Sequence, residues 1–154
     1  MSNFKWIAGA ALLLGLAAPA TAEVDVNDPW VRAAPPTAKM LAGYAVLAND
    51  GEADRHVVAA ASPAFQKIEL HRTVEEDGVA RMIQQERFTI PAGGELALEP
   101  GSYHLMLMRP HEPVGEGETV TLTLEFADGE TREVTFPVRR QGGGHEHGGQ
   151  HHQH

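Results

Sequence analysis

The clearest pattern in the chain is an alternation of residue types late in the sequence. In the segment 103–108, large apolar side chains alternate with His104, Met106 and Met108. Successive side chains of a β-strand point to opposite faces of its sheet, so this pattern predicts a strand with one apolar face. The other face carries one imidazole and two thioethers.

Further segments have the same two-residue period. Apolar residues alternate with polar ones at 120–126 and 134–138, on either side of a turn at Ala127-Asp128-Gly129. Other candidate strands are short and bounded by Gly, Pro, Asn or Asp, at 42–47, 55–60, 66–71 and 95–98. Helical periodicity is confined to the first 22 residues, which predicts an all-β Greek-key sandwich or small barrel over residues 23–140.

The N-terminus has the features of a signal peptide. Lys5 provides a positive charge, 6–18 is almost wholly apolar, and Pro19 precedes small residues at 20–22. The apolar segment is shorter than the about 20 residues that a membrane-spanning helix needs, which disfavours a retained anchor. We expect export to the periplasm, cleavage before Glu23, and no membrane anchor afterwards.

The C-terminus changes character at Gln141. Residues 141–154 contain no apolar side chain to bury, which predicts disorder. Five imidazoles in this segment favour Cu(II), Ni(II) or Zn(II) over Cu(I). They are His145, His147, His151, His152 and His154. An affinity tag is the alternative, although the interrupting Glu and Gln residues favour a native tail.

Charge and composition exclude several functions. The chain has 12 basic and 21 acidic side chains, and removal of the predicted leader with Lys5 changes the net charge from −9 to −10. An acidic domain is a poor match for nucleic acid or an anionic membrane. Because there is no cysteine, thiol catalysis, dithiol redox chemistry and thiolate-bound metals are excluded.

Four residues are candidates for a soft metal site. His104 and Met106 share a strand face, and Asp77-Gly78 predicts a two-residue hairpin turn. That turn sets His71 opposite Gln84 and makes Met82 a diagonal neighbour of His71. Two imidazoles and two thioethers suit Cu(I) better than Zn(II), Ca(II) or Mg(II). The alternative is structural, with Met82 packed in the core and His71 at the surface.

The spacing of these residues resembles the signature of the PCu(A)C family of periplasmic copper chaperones. Ten residues separate His71 from Met82, and twenty-one more precede His104-Leu105-Met106. The segments 77–79, 90–94 and 98–108, with Trp30, Arg32 and 119–126, also look like this family, so the resemblance covers about 24–138. The family often has Met directly after the first His, where this chain has Arg72.

The resemblance implies a cupredoxin-like β-sandwich that binds Cu(I) through these four residues. It also implies delivery of copper to the binuclear centre of cytochrome c oxidase, alone or with a Sco-type thiol protein. We therefore expect a monomeric, non-enzymatic copper chaperone with Cu(II) on its tail. The alternatives are a copper or zinc buffer acting through the tail, a copper oxidase, and a metal-free structural sandwich.

Other His and Met residues are weaker candidates. Met108 shares the face of His104 and Met106, but packing is the simpler interpretation. The sequence suggests a solvated loop position for His111 and an ordinary strand position for His56. It offers no partner for Met40.

Overall fold

The computed structural model describes residue 15 and residues 23–141, and all of the regular structure in these ranges is β-strand. This confirms the all-β prediction. The ten strands are β1 Val24–Arg32, β2 Met40–Asn49, β3 Arg55–Ala61, β4 Phe65–Glu76, β5 Val79–Gln84, β6 Phe88–Ile90, β7 Gly94–Leu98, β8 Tyr103–Pro110, β9 Thr119–Phe126 and β10 Thr131–Arg139.

The strands form a continuous order β5-β4-β8-β7-β2-β1-β10-β9-β3-β6 that folds over into two layers. A short parallel pairing of β1 with β10, at Val31–Val138 and Arg32–Arg139, joins the layers. Strand β8 lies between β4 on one side and the first half of β2 on the other. The candidate metal residues of β8 therefore lie inside the first layer, with a strand on each side.

One hydrophobic core fills the space between the layers. The apolar positions predicted from alternation supply much of it, and burying each such side chain contributes about 1.5–3 kcal/mol. Its innermost members include Leu105 and Leu107 from β8 with Leu122, Leu124, Phe126 and Phe136 from the second layer. This core occupies one face of β8, so the His and Met residues lie on the other.

The β4–β5 hairpin has the predicted turn. Asp77 and Gly78 both have positive φ, at 52° and 77°, as a two-residue type I′ turn requires. His71 is paired with Gln84, which confirms the register expected from the sequence. Strand β4 runs five residues beyond its predicted end at His71 because those residues pair with β5.

Both termini lie largely outside the described residues. Of the predicted leader only Gly15 is described, and of the predicted tail only Gln141, so the five tail histidines are not included. Within residues 15 and 23–141, no helix has the length and apolar character needed to cross a membrane.

Candidate metal centre

The pairing of β4 with β8 brings the two halves of the candidate site together. His71 and His104 are directly opposite one another across these strands. Their ring centroids are 5.7 Å apart, and the ring planes are inclined by 59°. Both imidazoles can therefore approach one metal ion.

The two methionines lie on either side of this His pair, in different environments. Met106 follows His104 by two residues on the same face and is 6% exposed. Met82 pairs with Thr73, which makes it the diagonal neighbour of His71, and it is 61% exposed. The alternative interpretation of the sequence, in which Met82 packs in the core, is therefore wrong. Met106, by contrast, is buried.

Hydrogen bonds orient both imidazoles and leave one nitrogen of each ring without a partner. His104 Nδ1 lies 3.1 Å from the Ser102 carbonyl oxygen, and His71 Nε2 lies 2.7 Å from Glu69 Oε2. In each case the ring N–H donates to the oxygen, and in the neutral ring the other nitrogen then keeps its lone pair. His104 Nε2 and His71 Nδ1 are buried without a hydrogen-bond partner.

These two nitrogens are suited to binding a metal. A buried polar atom without a partner costs about 1–3 kcal/mol, and a metal ion would satisfy both atoms. Metal-binding histidines typically donate their second ring N–H to a carboxylate or a carbonyl, as both do here. Among residues 23–141, no three His, Asp or Glu side chains are grouped to hold a metal.

Glu69 is a member of the site that our sequence analysis missed. It precedes His71 by two residues on the same strand face and pairs with Met106 on β8. Its carboxylate accepts hydrogen bonds from the Lys67 ammonium, at 2.7 Å, and from His71. The bond from Lys67, followed by that from His71, lowers the pKa of Glu69. The sequence feature that could have identified Glu69 is its spacing of two residues from His71, which places both side chains on one strand face.

Removing the Glu69 carboxylate should weaken metal binding without removing a ligand. In Glu69→Ala, the His71 ring loses the acceptor that sets its orientation, and we expect Cu(I) affinity to fall about 10–100-fold. Competition titration against a Cu(I) chelator measures this. Glu75→Ala, on the same face of β4 but beyond the site, is the matched control, and Glu69→Gln should recover part of the affinity. Equal affinities of Glu69→Ala and Glu75→Ala would show that Glu69 has no positioning role.

An aromatic cluster borders the site beside His104. The Tyr44 ring centroid lies 6.4 Å from that of His104 and 4.8 Å from that of Trp30. The Arg32 guanidinium carbon is 5.9 Å from the centroids of both aromatic rings. Burial raises the pKa of Tyr44, and the Arg32 charge partly opposes this. The phenol therefore stays neutral and adds no anionic ligand.

The other candidate residues lie apart from the His pair. His56 Nδ1 is 3.0 Å from Thr89 Oγ1, and His111 is exposed in the segment between β8 and β9. The guanidinium carbon of Arg72 is 5.1 Å from the ring centroid of Tyr103, which itself packs against the core. Because neighbouring strand residues point to opposite faces, Arg72 lies on the other side of the sheet from His71.

Comparison with known proteins agrees with this architecture. The family model described as "Putative lipoprotein LpqE-like" matches residues 24–138. The chain belongs to the LpqE-like family. "Putative lipoprotein Lxx21020" of Leifsonia xyli subsp. xyli is 37% identical over 151 residues, covering 89% of this chain and 90% of the relative.

Solved structures with the same fold include copper-bound proteins. The "Solution structure of CuI-DR1885 from Deinococcus Radiodurans" is 36% identical, with a TM-score of 0.65, covering 80% of this chain and 84% of that one. The "Copper-bound PCuAC domain from PmoF2" has a TM-score of 0.66 at 16% identity, covering 79% and 97% of the two chains. The sandwich is thus the cupredoxin-like fold of the PCuAC domains.

Proposed function

We propose that this protein is an exported copper chaperone, without enzymatic activity, that binds Cu(I) through His71, Met82, His104 and Met106. The observation that carries the proposal is the pair of buried, unpartnered imidazole nitrogens, His71 Nδ1 and His104 Nε2, on the face that carries both thioethers. The 36% identity to a protein solved as its CuI form supports copper as the cargo.

The chemistry of the proposed ligands supports Cu(I) as the bound oxidation state. Thioether sulfur is a soft ligand that favours Cu(I), while Zn(II) gains little from it. Four neutral ligands leave the +1 charge of the ion uncompensated, and the ionised Glu69 next to His71 offsets part of that charge. The site therefore combines soft ligands with one nearby carboxylate.

The exposure of Met82 provides a route for copper release. His104 and Met106 are buried, whereas Met82 is largely exposed on the edge strand β5. An acceptor thiolate can replace the Met82 thioether first and the inner ligands afterwards. Each step exchanges one ligand of Cu(I) for another, so no electron is transferred.

The family resemblance supports a particular copper acceptor, and the N-terminal sequence supports a particular compartment. We propose that the protein acts in the periplasm and delivers copper to the binuclear centre of cytochrome c oxidase, alone or with a Sco-type thiol protein. A monomer suits this role, because the exposed Met82 must meet the acceptor.

The His-rich tail is proposed as a separate Cu(II) site. Its five imidazoles lie beyond Arg139, where the last strand ends, and tethering them to the domain raises the local copper concentration. Reduction of this copper requires an external electron donor, because the sequence contains no cysteine thiol to supply electrons.

Acidification should release tail Cu(II) before domain Cu(I). Burial lowers the pKa of His104 and the neighbouring His71 lowers it further, against the raising effect of the Ser102 carbonyl. A lowered pKa keeps this imidazole neutral, and able to bind metal, at a pH where ordinary histidines with a pKa of about 6.5 are protonated. Met82 and Met106 do not titrate.

Parallel titrations of both metals from about pH 7 to 5 measure this order, since that interval spans the ordinary His pKa. We expect Cu(II) occupancy of the tail to fall first. Loss of both ions together, or of Cu(I) first, would argue against two chemically distinct sites.

The proposed function is tested by Cu(I) titration against a competing chelator, X-ray absorption of the loaded protein, and transfer to the copper-centre subunit of the oxidase. We expect one tightly bound Cu(I) with nitrogen and sulfur ligands in the domain. A spectrum without sulfur scattering would refute the ligand set. Binding without transfer to the oxidase subunit would refute the acceptor and leave the site intact.

A further inference from the structure

A second pair of thioethers lies on the same sheet face as the candidate metal centre. Met40 on β2 and Met108 on β8 are directly opposite one another. The Arg109 N–H donates to the Lys39 carbonyl oxygen at 2.7 Å, which makes Met40 and Met108 a non-hydrogen-bonded pair of the ladder. In such pairs the Cα atoms are about 4.5 Å apart and the side chains are closest.

Packing alone does not account for this pair. Met40 is 54% exposed and is one of four large apolar side chains exposed among the described residues. Met108 is half-buried, and neither residue belongs to the core. Two methionine side chains are thus paired across β2 and β8 where one is exposed and the other is partly exposed.

We propose that Met40 and Met108 form a second site for a soft monovalent ion, Cu(I) or its analogue Ag(I). Two neutral thioethers are suitable ligands for such ions and bind hard divalent ions poorly. The pair supplies two ligands where the His71/His104 centre supplies four, so it binds more weakly. Lys67, which is directly opposite Met108 on β4, is ion-paired with Glu69 at 2.7 Å, and its side chain is largely exposed.

The position of the Met40–Met108 pair allows it to pass a bound ion to the His71/His104 centre. Met108 follows Met106 by two residues, which places them about 7 Å apart on one face. On β2 the residue opposite Met106 is Ala42, so Met40 is the diagonal neighbour of Met106 across these strands and only a methyl group is directly opposite Met106. The ion passes from the Met40–Met108 pair to Met106 by exchange of thioether ligands. The transfer of the ion to Met106 rests on the proposed function, whereas the second binding site itself does not.

The site is tested by NMR of the ¹³C-methyl groups of methionine during titration with Ag(I). Apart from Met1 the chain has four methionines, so each site contributes two signals. We expect Met82 and Met106 to shift first and Met40 and Met108 at higher Ag(I). In Met40→Leu the Met108 shift should disappear, while first-site affinity stays within about twofold.

Two outcomes would overturn the second site. One is the absence of any Met40 or Met108 shift under excess Ag(I), and the other is an unchanged Met108 shift in Met40→Leu. Backbone amide spectra establish that the variant is folded. Response of Met40 and Met108 without response of Met82 and Met106 would instead refute the first site and support the second.

Discussion

Met82→Ala should weaken Cu(I) binding by about 100-fold or more, equivalent to roughly 2.7 kcal/mol, while the thermal midpoint stays nearly unchanged. Stability should change little because Met82 is 61% exposed and contributes little to the core. Cu(I) affinity should fall because Met82 is the diagonal neighbour of His71. Loss of its thioether leaves three of the four proposed ligands. Chelator competition gives the affinity, and thermal unfolding of the metal-free protein gives the stability.

Ile83→Ala is the matched control for this substitution. Ile83 is the next residue of β5, is 40% exposed and points to the opposite face of the hairpin. It should keep the parental Cu(I) affinity. If Met82→Ala and Ile83→Ala bind Cu(I) equally well, Met82 is not a ligand and the four-residue site is wrong.

Met106 needs a different substitution because it is buried. Truncating a buried methionine to alanine costs about 2–5 kcal/mol of stability, so Met106→Ala would mix a folding defect with loss of a ligand. Met106→Leu keeps the volume and typically costs less than about 1.5 kcal/mol. We therefore expect Met106→Leu to lose Cu(I) affinity while remaining folded.

Ending the chain after Arg140 should remove most of the Cu(II) capacity and leave Cu(I) binding nearly intact. The cut removes five of nine histidines and no strand residue, because β10 ends at Arg139. Titrations of both metals on the full and shortened chains measure the effect. A full-length variant with the five tail histidines replaced by Gln is the control, and it should behave like the shortened chain.

Two results would contradict the assignment of Cu(II) to the tail and of Cu(I) to the domain. Unchanged Cu(II) stoichiometry in the shortened chain would place the Cu(II) site in the domain. Loss of Cu(I) as well as Cu(II) would favour a copper buffer that works through the tail, with the sandwich only as its support.

Local sequence determined the strands and part of the site. The two-residue period that places His104 and Met106 on one face is a property of any extended strand. The Asp77-Gly78 turn accepts positive φ at both positions, which sets the register of β4 and β5 and hence the approach of Met82 to His71. These relations involve neighbours in the chain, so they were predictable.

Tertiary structure decided what lies between strands that are distant in sequence. The β4–β8 and β2–β8 pairings set His71 opposite His104 and Met40 opposite Met108. Registers of this kind depend on how the whole apolar set packs between two layers, and no local signal encodes them. The contrast between buried His104 and exposed Met82 arises in the same way, because β8 is flanked on both sides and β5 is an edge strand.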